Sequence, residues 1–286
     1  MTGIGDKTIE RIKDMIREEQ NDTYKSEYDE NIKLDINNIY RGDCLELMNG
    51  IEDKSIDMIL CDLPYGTTQN KWDSIIDLNK LWQQYGRIIK NNGAIVLTSA
   101  PPFTYELANS NSKFFKYEII WDKKLSTGFL NAKKQVLRRH ENILVFYKEQ
   151  CTYNPQMTSG IPYDKGISFD KSTNYGKQVP VRALNTSGDR YPTSILEISN
   201  ANRRNKVHPT EKPVALCEYL IKTYTNEGDL VLDNCIGSGT TAISAINTNR
   251  NFIGIELQDE YYKLAKNRVN KYIIDHNLQD KYDILV

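Results

Sequence analysis

Asp62, Leu63, Pro64 and Tyr65 stand directly after a short apolar run, residues 56–61, that predicts a buried strand. Leu63 precedes a proline and is kept from helical geometry, so the chain leaves the strand extended with its carbonyls outward. A carboxylate, a backbone carbonyl and an aromatic face can be read by asking what a methyl acceptor needs, the acceptor being an exocyclic amine on a nucleobase. Such an amine is a poor nucleophile because its lone pair is delocalised into the ring. Two acceptors holding both N–H groups, the Asp62 carboxylate and the Leu63 carbonyl, would draw the nitrogen toward tetrahedral geometry and free that pair to attack. Tyr65 offers a stacking face, and the base must leave its duplex to reach it. The plainer readings are a strand-end cap for Asp62 and a half-buried aromatic for Tyr65.

A second stretch has the punctuation of a β-α-β nucleotide pocket. Residues 230–232 predict a buried strand, Gly237 and Gly239 permit a tight turn, 240–247 open a helix, and 252–257 form a further strand. That last strand carries Glu256, 19 residues beyond Gly237, where an acidic side chain can take both hydroxyls of a ribose. Gly237-Ser238-Gly239-Thr240-Thr241-Ala242 fits the dinucleotide pattern G-x-G-x-x-A, so a nicotinamide cofactor and a bare structural turn are both open readings. Against the dinucleotide, only 29 residues follow Leu257, too few for the remaining strands. The rest of the sheet must come from upstream, which makes this a permuted α/β domain.

The elements that must position these groups can be followed along the chain. Residues 8–19 place Ile9, Ile12, Met15 and Ile16 on one helical stripe. Strands are expected at 34–40, 56–61, 94–98, 117–121 and 143–147, and helices at 45–49, 78–90, 103–109, 214–224 and 259–274. Asp43 follows the first strand, at the edge where open α/β sheets bind ligands, and reads equally as a helix N-cap. Strand alternating with helix predicts a doubly wound, mostly parallel sheet. From 151 to 207 the pattern fails, with only 194–198 strand-like. A stretch of that length is a functional insertion or disordered, and Tyr153, Tyr163, Phe169, Tyr175 and Tyr191 favour the insertion. Residues 69–73, with Lys71 and Trp72, read as a mobile loop over the base or as plain surface.

The chain has 286 residues, 39% hydrophobic and 26% charged, enough for one α/β core plus an insertion. No apolar run reaches membrane-spanning length, and Cys44, Cys61, Cys151, Cys217 and Cys235 contain no C-x-x-C pair, so neither a metal site nor a disulfide framework is indicated. A cytoplasmic, nucleoid-associated protein is expected. The net charge of −1 hides an asymmetry: residues 121–212 hold 16 Lys and Arg against 8 Asp and Glu, leaving −9 on the remainder. A basic segment in an acidic chain points to a polyanion-binding face or to a solvated lysine-rich insertion. Candidate phosphate contacts are Lys123, Lys124, Lys133, Lys134, Arg138, Arg139, Arg203, Arg204 and Lys206.

Asp-x-Pro-Tyr-Gly, the basic segment, His208-Pro209-Thr210-Glu211-Lys212-Pro213, and Asp233-Asn234-Cys235-Ile236-Gly237-Ser238-Gly239-Thr240-Thr241 follow one another in the order of the β-class S-adenosylmethionine-dependent DNA amino-methyltransferases, and the chain resembles that family over about 33–270. The resemblance implies a circularly permuted Rossmann-like methyltransferase domain with catalytic half 33–150, target-recognition insertion 151–207 and cofactor half 208–286, after a helical extension 1–32. It implies that Asp62, Leu63, Pro64 and Tyr65 bind and activate a flipped base in double-stranded DNA. Asp233 and the loop Gly237, Ser238, Gly239, Thr240 and Thr241 would hold the methionine part of S-adenosylmethionine, with Cys235 at a position that packs against the cofactor. Glu256 would take the ribose, Asp43 and Cys44 the adenine side, and Thr210 and Lys212 the carboxylate end. Leu63 replaces the family's more usual proline and Cys235 its usual phenylalanine. Aspartate at 62, where the family's cytosine enzymes more often carry serine, favours the N6 amine of adenine over the N4 amine of cytosine. The competing readings are a nicotinamide-dependent oxidoreductase and an inactive nucleic-acid-binding module. A second copy of the chain and a cognate restriction endonuclease are candidate protein partners.

Overall fold

The computed structural model describes residues 33–66, 75–168, 180–200 and 211–283. The chain divides into two compact units, Met1–Lys33 and Leu34–Val286. The helix expected at 8–19, the loop 69–73, and Arg203, Arg204, Lys206, His208 and Thr210 lie outside the described residues.

The second unit begins with β1 (Asn38–Arg41), α1 (Cys44–Leu47), β2 (Ile56–Cys61), α2 (Leu78–Ile88) and β3 (Ile89–Ser99). It continues through α3 (Phe103–Ser110), β4 (Phe115–Thr127) and β5 (Arg138–Phe146). Four short strands follow, β6 (Thr158–Ser159), β7 (Tyr163–Ser168), β8 (Val181–Asn185) and β9 (Asp189–Arg190). The chain then returns through β10 (Ile195–Glu197), α4 (Val214–Tyr224), β11 (Leu230–Asp233), α5 (Thr240–Asn247), β12 (Asn251–Glu256) and α6 (Asp259–Asp275).

Eight of these strands form one sheet in the order β1-β12-β11-β2-β3-β5-β4-β10. All run the same way except β5, which is antiparallel to both of its neighbours. Central strands buried on both faces read as unbroken apolar runs; Met58, Ile59, Val231 and Leu232 are all at 0% exposure. Each such burial contributes roughly 1.5–3 kcal/mol. Met58, Leu60 and Val96 share a cluster with Leu216 of α4, Ile243 of α5 and Val269 of α6. Ile59, Ile95 and Leu97, which alternate with them, stand outside that cluster and so face the layer of α2 and α3. The doubly wound, permuted α/β sheet expected from the sequence is therefore present.

Adjacent strands β2 and β11 send the chain in opposite directions, β2 toward β3 and β11 toward β12. The loops leaving their C-terminal ends diverge, and the crevice between them is where open α/β sheets bind ligands.

Three local expectations need correcting. The first strand starts at Asn38, four residues later than expected, because Asn37 adopts a left-handed φ of 58° and uses its side chain on β12, accepting from Phe252 N at 3.1 Å and donating to Asn251 at 3.0 Å. Strand and helix do not alternate throughout: β4 and β5 form a hairpin turned by Gly128 at φ 87°, and their outer, polar ends carry no apolar signal. Within 151–207 the structure holds β6 paired with β9 and β7 with β8, whose mostly exposed residues show no alternation to read.

Candidate active site

Both diverging loops open into one cavity of about 640 Å³, lined on one side by Asp62, Leu63, Pro64 and Tyr65 and on the other by Asp233, Cys235, Gly237, Ser238, Thr240, Thr241 and Glu256. The volume suits a nucleoside-sized ligand with room for a further group.

At the turn after β2, Asp62 is three-quarters buried and closely held. Its Oδ1 accepts from the Tyr65 hydroxyl at 2.6 Å and from Thr98 Oγ1, and its Oδ2 accepts from Lys212 Nζ at 2.5 Å. Tyr65 stacks on Phe103 with ring centroids 5.5 Å apart, which fixes the ring plane. Burial first, and then the Asp62 charge, push the Tyr65 phenol well above its usual range, so it stays a protonated donor. Burial alone would lower Lys212, but Asp62, Tyr65 and Glu141 outweigh it and hold the ammonium well above the usual lysine range. Glu141 lies behind, its Oε1 accepting from Lys123 Nζ at 3.0 Å and its Oε2 3.5 Å from Lys212 Nζ. Burial would raise its carboxyl, yet Lys212 and Lys123 keep it below the usual range.

The opposite loop is built to leave its interior open. Gly237 and Gly239 adopt φ of 53° and 79°. Gly239 also sits where an added Cβ would come within 3.2 Å of a Val269 methyl, so a larger residue there would add a tight contact with α6 to the strain of a left-handed φ. Asp233 is 5% exposed, accepting from Thr241 Oγ1 at 2.6 Å and Cys235 N at 3.1 Å. Burial pushes its carboxyl up to about 6 against those two hydrogen bonds. Glu256 accepts from Gly237 N and Gln258 N, both at 2.9 Å, and is raised by burial. The buried Tyr85 hydroxyl donates to Asn234 Oδ1 at 2.6 Å, pinning the loop to α2. Arg268 of α6 donates to Ser238 O at 3.0 Å and pairs with Glu211 at 2.7 Å.

Asp43 is the N-cap of α1, its Oδ1 accepting from Leu45 N at 2.7 Å, and it also lines the cavity beside Cys44. Contact with the Cys235 thiol, and burial, push Cys44 well above the usual thiol range, and burial pushes Cys61 up to about 12. These thiols are neutral packing groups under the cavity. Lys212 sits on Asp62 at the turn after β2. Of the basic candidates, Lys123 is buried against Glu141, Lys124 pairs with Glu197 at 2.7 Å, and Arg139 makes a two-pronged pair with Asp122 at 2.8 Å. Lys133, Lys134 and Arg138 are exposed on the β4–β5 hairpin, whose Thr127 lines the cavity.

Thr98, Phe103, Glu141, Tyr85 and Arg268 escaped the sequence reading. Thr98 stands in the last two residues of a parallel strand, at the ligand edge, a usable signal. Glu141 reaches that edge only because β5 runs backwards, which no local pattern discloses.

A family model described as DNA methylase, of the N6/N4 amino group, matches residues 56–267. The chain belongs to the DNA methylase family. Among relatives of this methylase, the Type II methyltransferase M1.MboII of Moraxella bovis is 28% identical over 269 residues, spanning 85% of this chain and 100% of that protein. The DNA adenine methyltransferase YhdJ of Escherichia coli (strain K12) is 29% identical over 247 residues, spanning 81% and 82%. Two solved structures share the methylase's fold. The PvuII DNA methyltransferase, cytosine-N4-specific, matches with a TM-score of 0.58 at 18% identity, covering 86% of this chain and 93% of that one. The M1.HpyAVI complex with S-adenosylmethionine matches with a TM-score of 0.54 at 24% identity, covering 81% and 98%.

Proposed function

We propose that this methylase transfers a methyl group from S-adenosylmethionine to the N6 amine of a flipped adenine in double-stranded DNA. One observation carries the reading: the Asp62–Tyr65 turn and the glycine loop after β11 open into the same cavity from neighbouring strands. The donor set fits the cofactor: a deeply placed carboxylate, Asp233, for an ammonium, a second, Glu256, for ribose hydroxyls, and a glycine turn that leaves room between them. S-adenosylmethionine, when bound, supplies an electrophilic methyl group on a sulfonium.

The chain's own residues do the rest. Asp62, oriented by Tyr65 and Thr98, accepts one N–H of the amine, and the Leu63 carbonyl accepts the other. A charged acceptor binds an N–H more strongly than a hydroxyl would. Pro64 keeps the turn extended, and Phe103 backs Tyr65 so that its ring is ready for the base. Adenine is favoured over cytosine by Asp62, and the relative from Escherichia coli is named as an adenine methyltransferase.

Residues 151–207 supply target recognition in this reading, between a catalytic half, 33–150, and a cofactor half, 208–286. The duplex lies along the β4–β5 hairpin, its phosphates met by Lys133, Lys134 and Arg138. Lys124 and Arg139 join only by exchanging their carboxylate partners for phosphates. A cognate restriction endonuclease accords with the Type II name of the Moraxella relative, and a second copy of the chain is a further proposed partner. No helix among the described residues is long and apolar enough to cross a membrane, and a cytoplasmic location beside the nucleoid is part of the proposal.

The test is transfer of a labelled methyl group to unmethylated duplex DNA. Wild type transfers, whereas Asp62→Ala binds the cofactor with unchanged affinity and loses transfer by a factor on the order of 10² or more. Near-normal turnover in Asp62→Ala would refute the assignment of its carboxylate.

A further inference from the structure

The arrangement around Asp62 conflicts with its task. For the carboxylate to polarise an amine its acceptor strength must be available, yet Lys212 Nζ stands 2.5 Å from Oδ2. An ammonium there draws electron density from the acceptor and repels the positive charge that grows on the attacking nitrogen. Oδ1 is already taken by the Tyr65 hydroxyl and Thr98. The base therefore needs Lys212 to shift, and a buried ammonium cannot be left without a partner.

Glu141 supplies one. Its Oε2 is fully shielded from solvent and takes part in no hydrogen bond. That oxygen lies 3.5 Å from Lys212 Nζ, so a displacement of about 1 Å converts a loose ion pair into a charge-assisted hydrogen bond. Its other oxygen is anchored by Lys123 at 3.0 Å, which keeps the carboxylate from following the ammonium toward Asp62. Glu141 comes from the start of β5, and Asp62 follows the end of β2, two strands away in the sheet. The receiving group is thus carried by a different element from the one the base engages.

Resting on the methyl-transfer reading, the geometry points to Glu141 as a positioning residue that receives the Lys212 ammonium when the target amine engages Asp62. The lysine has two stations, Asp62 in the empty site and Glu141 in the loaded one. Glu141 touches neither base nor cofactor and acts through Lys212. No bond is made or broken in the exchange, and the proton stays on the lysine.

The experiment is a double-mutant cycle on single-turnover methyl transfer to unmethylated duplex DNA at saturating S-adenosylmethionine. Glu141→Gln keeps the shape but not the charge; it is expected to slow transfer on the order of 10²-fold, with cofactor affinity within twofold of wild type. Lys212→Met removes the competing ammonium; any loss of affinity for the cofactor's carboxylate end is offset by saturating S-adenosylmethionine, and the single-turnover rate is expected to stay measurable, at about a tenth of wild type or more. In the Lys212→Met background, adding Glu141→Gln should change the rate by less than twofold, whereas a merely structural Glu141 would lower it in both backgrounds alike. Should Glu141→Gln fail to fold, Lys123→Met/Glu141→Gln removes one buried charge of each sign and takes its place in the cycle. A Glu141→Gln rate within twofold of wild type, an inactive Lys212→Met or equal losses in both backgrounds would each overturn the exchange while an active wild type leaves the methyl-transfer reading standing. An inactive wild type would instead bring down that reading.

Discussion

Cofactor affinity should rise about tenfold between pH 5 and pH 7, and Asp233 is the reason. Burial pushes its carboxyl from the ordinary 3.8 up to about 6, so in the empty protein at pH 5 about ten molecules in eleven carry the proton. A cofactor ammonium seated against it favours the ionised form and returns the pKa toward or below its ordinary value. Binding at pH 5 must then expel a proton, which weakens the apparent affinity about elevenfold relative to the high-pH plateau. At pH 7 the loss is about a tenth. The difference amounts to about 1.4 kcal/mol. The sign for folding is opposite: a carboxyl raised in the folded state stabilises fully below its unfolded pKa, and that contribution is lost as pH climbs from about 4 through about 6. Titration calorimetry in buffers of different ionisation enthalpy reads both the affinity and the released proton. Asp233→Asn should bind more weakly with no slope. A flat wild-type affinity from pH 5 to 7, or an unchanged slope in Asp233→Asn, would refute the placement of a cation against Asp233.

Two further outcomes are expected. Glu256→Ala should weaken cofactor binding by about 1–3 kcal/mol, with a smaller effect on the rate at saturating cofactor, measured by calorimetry and initial rates; an effect confined to the rate would count against a ribose contact. Neutralising Lys133, Lys134 and Arg138 together should flatten the log–log salt dependence of DNA affinity by about one unit of slope for each phosphate no longer neutralised, read by fluorescence anisotropy at several salt concentrations; an unchanged slope removes the β4–β5 hairpin from the interface.

Much of the fold was legible because the central strands are buried on both faces. The run at 56–61 and the helices at 214–224 and 240–247 have the expected bounds, since apolar content, Pro213 and Gly239 mark them locally. The two motif loops were legible for the same reason, as their glycines and strand-end carboxylates lie close in sequence. What the sequence hid depends on long-range pairing. The reversal of β5 brings Glu141 to the ligand edge, and the packing of α2 under the glycine loop after β11 gives Tyr85 its bond to Asn234, 149 residues away. Charge counts likewise marked the middle of the chain as basic without showing that Lys123 is buried or that Arg139 already has a carboxylate.

The most direct test of the function is the identity of the methylated nucleoside. Unmethylated duplex DNA incubated with the protein and S-adenosylmethionine is digested to nucleosides and analysed by mass spectrometry against both standards. The expected product is N6-methyldeoxyadenosine, absent when Asp62→Ala replaces the wild type. N4-methyldeoxycytidine in its place would contradict the choice of base, and no methylated nucleoside at all would contradict the activity itself.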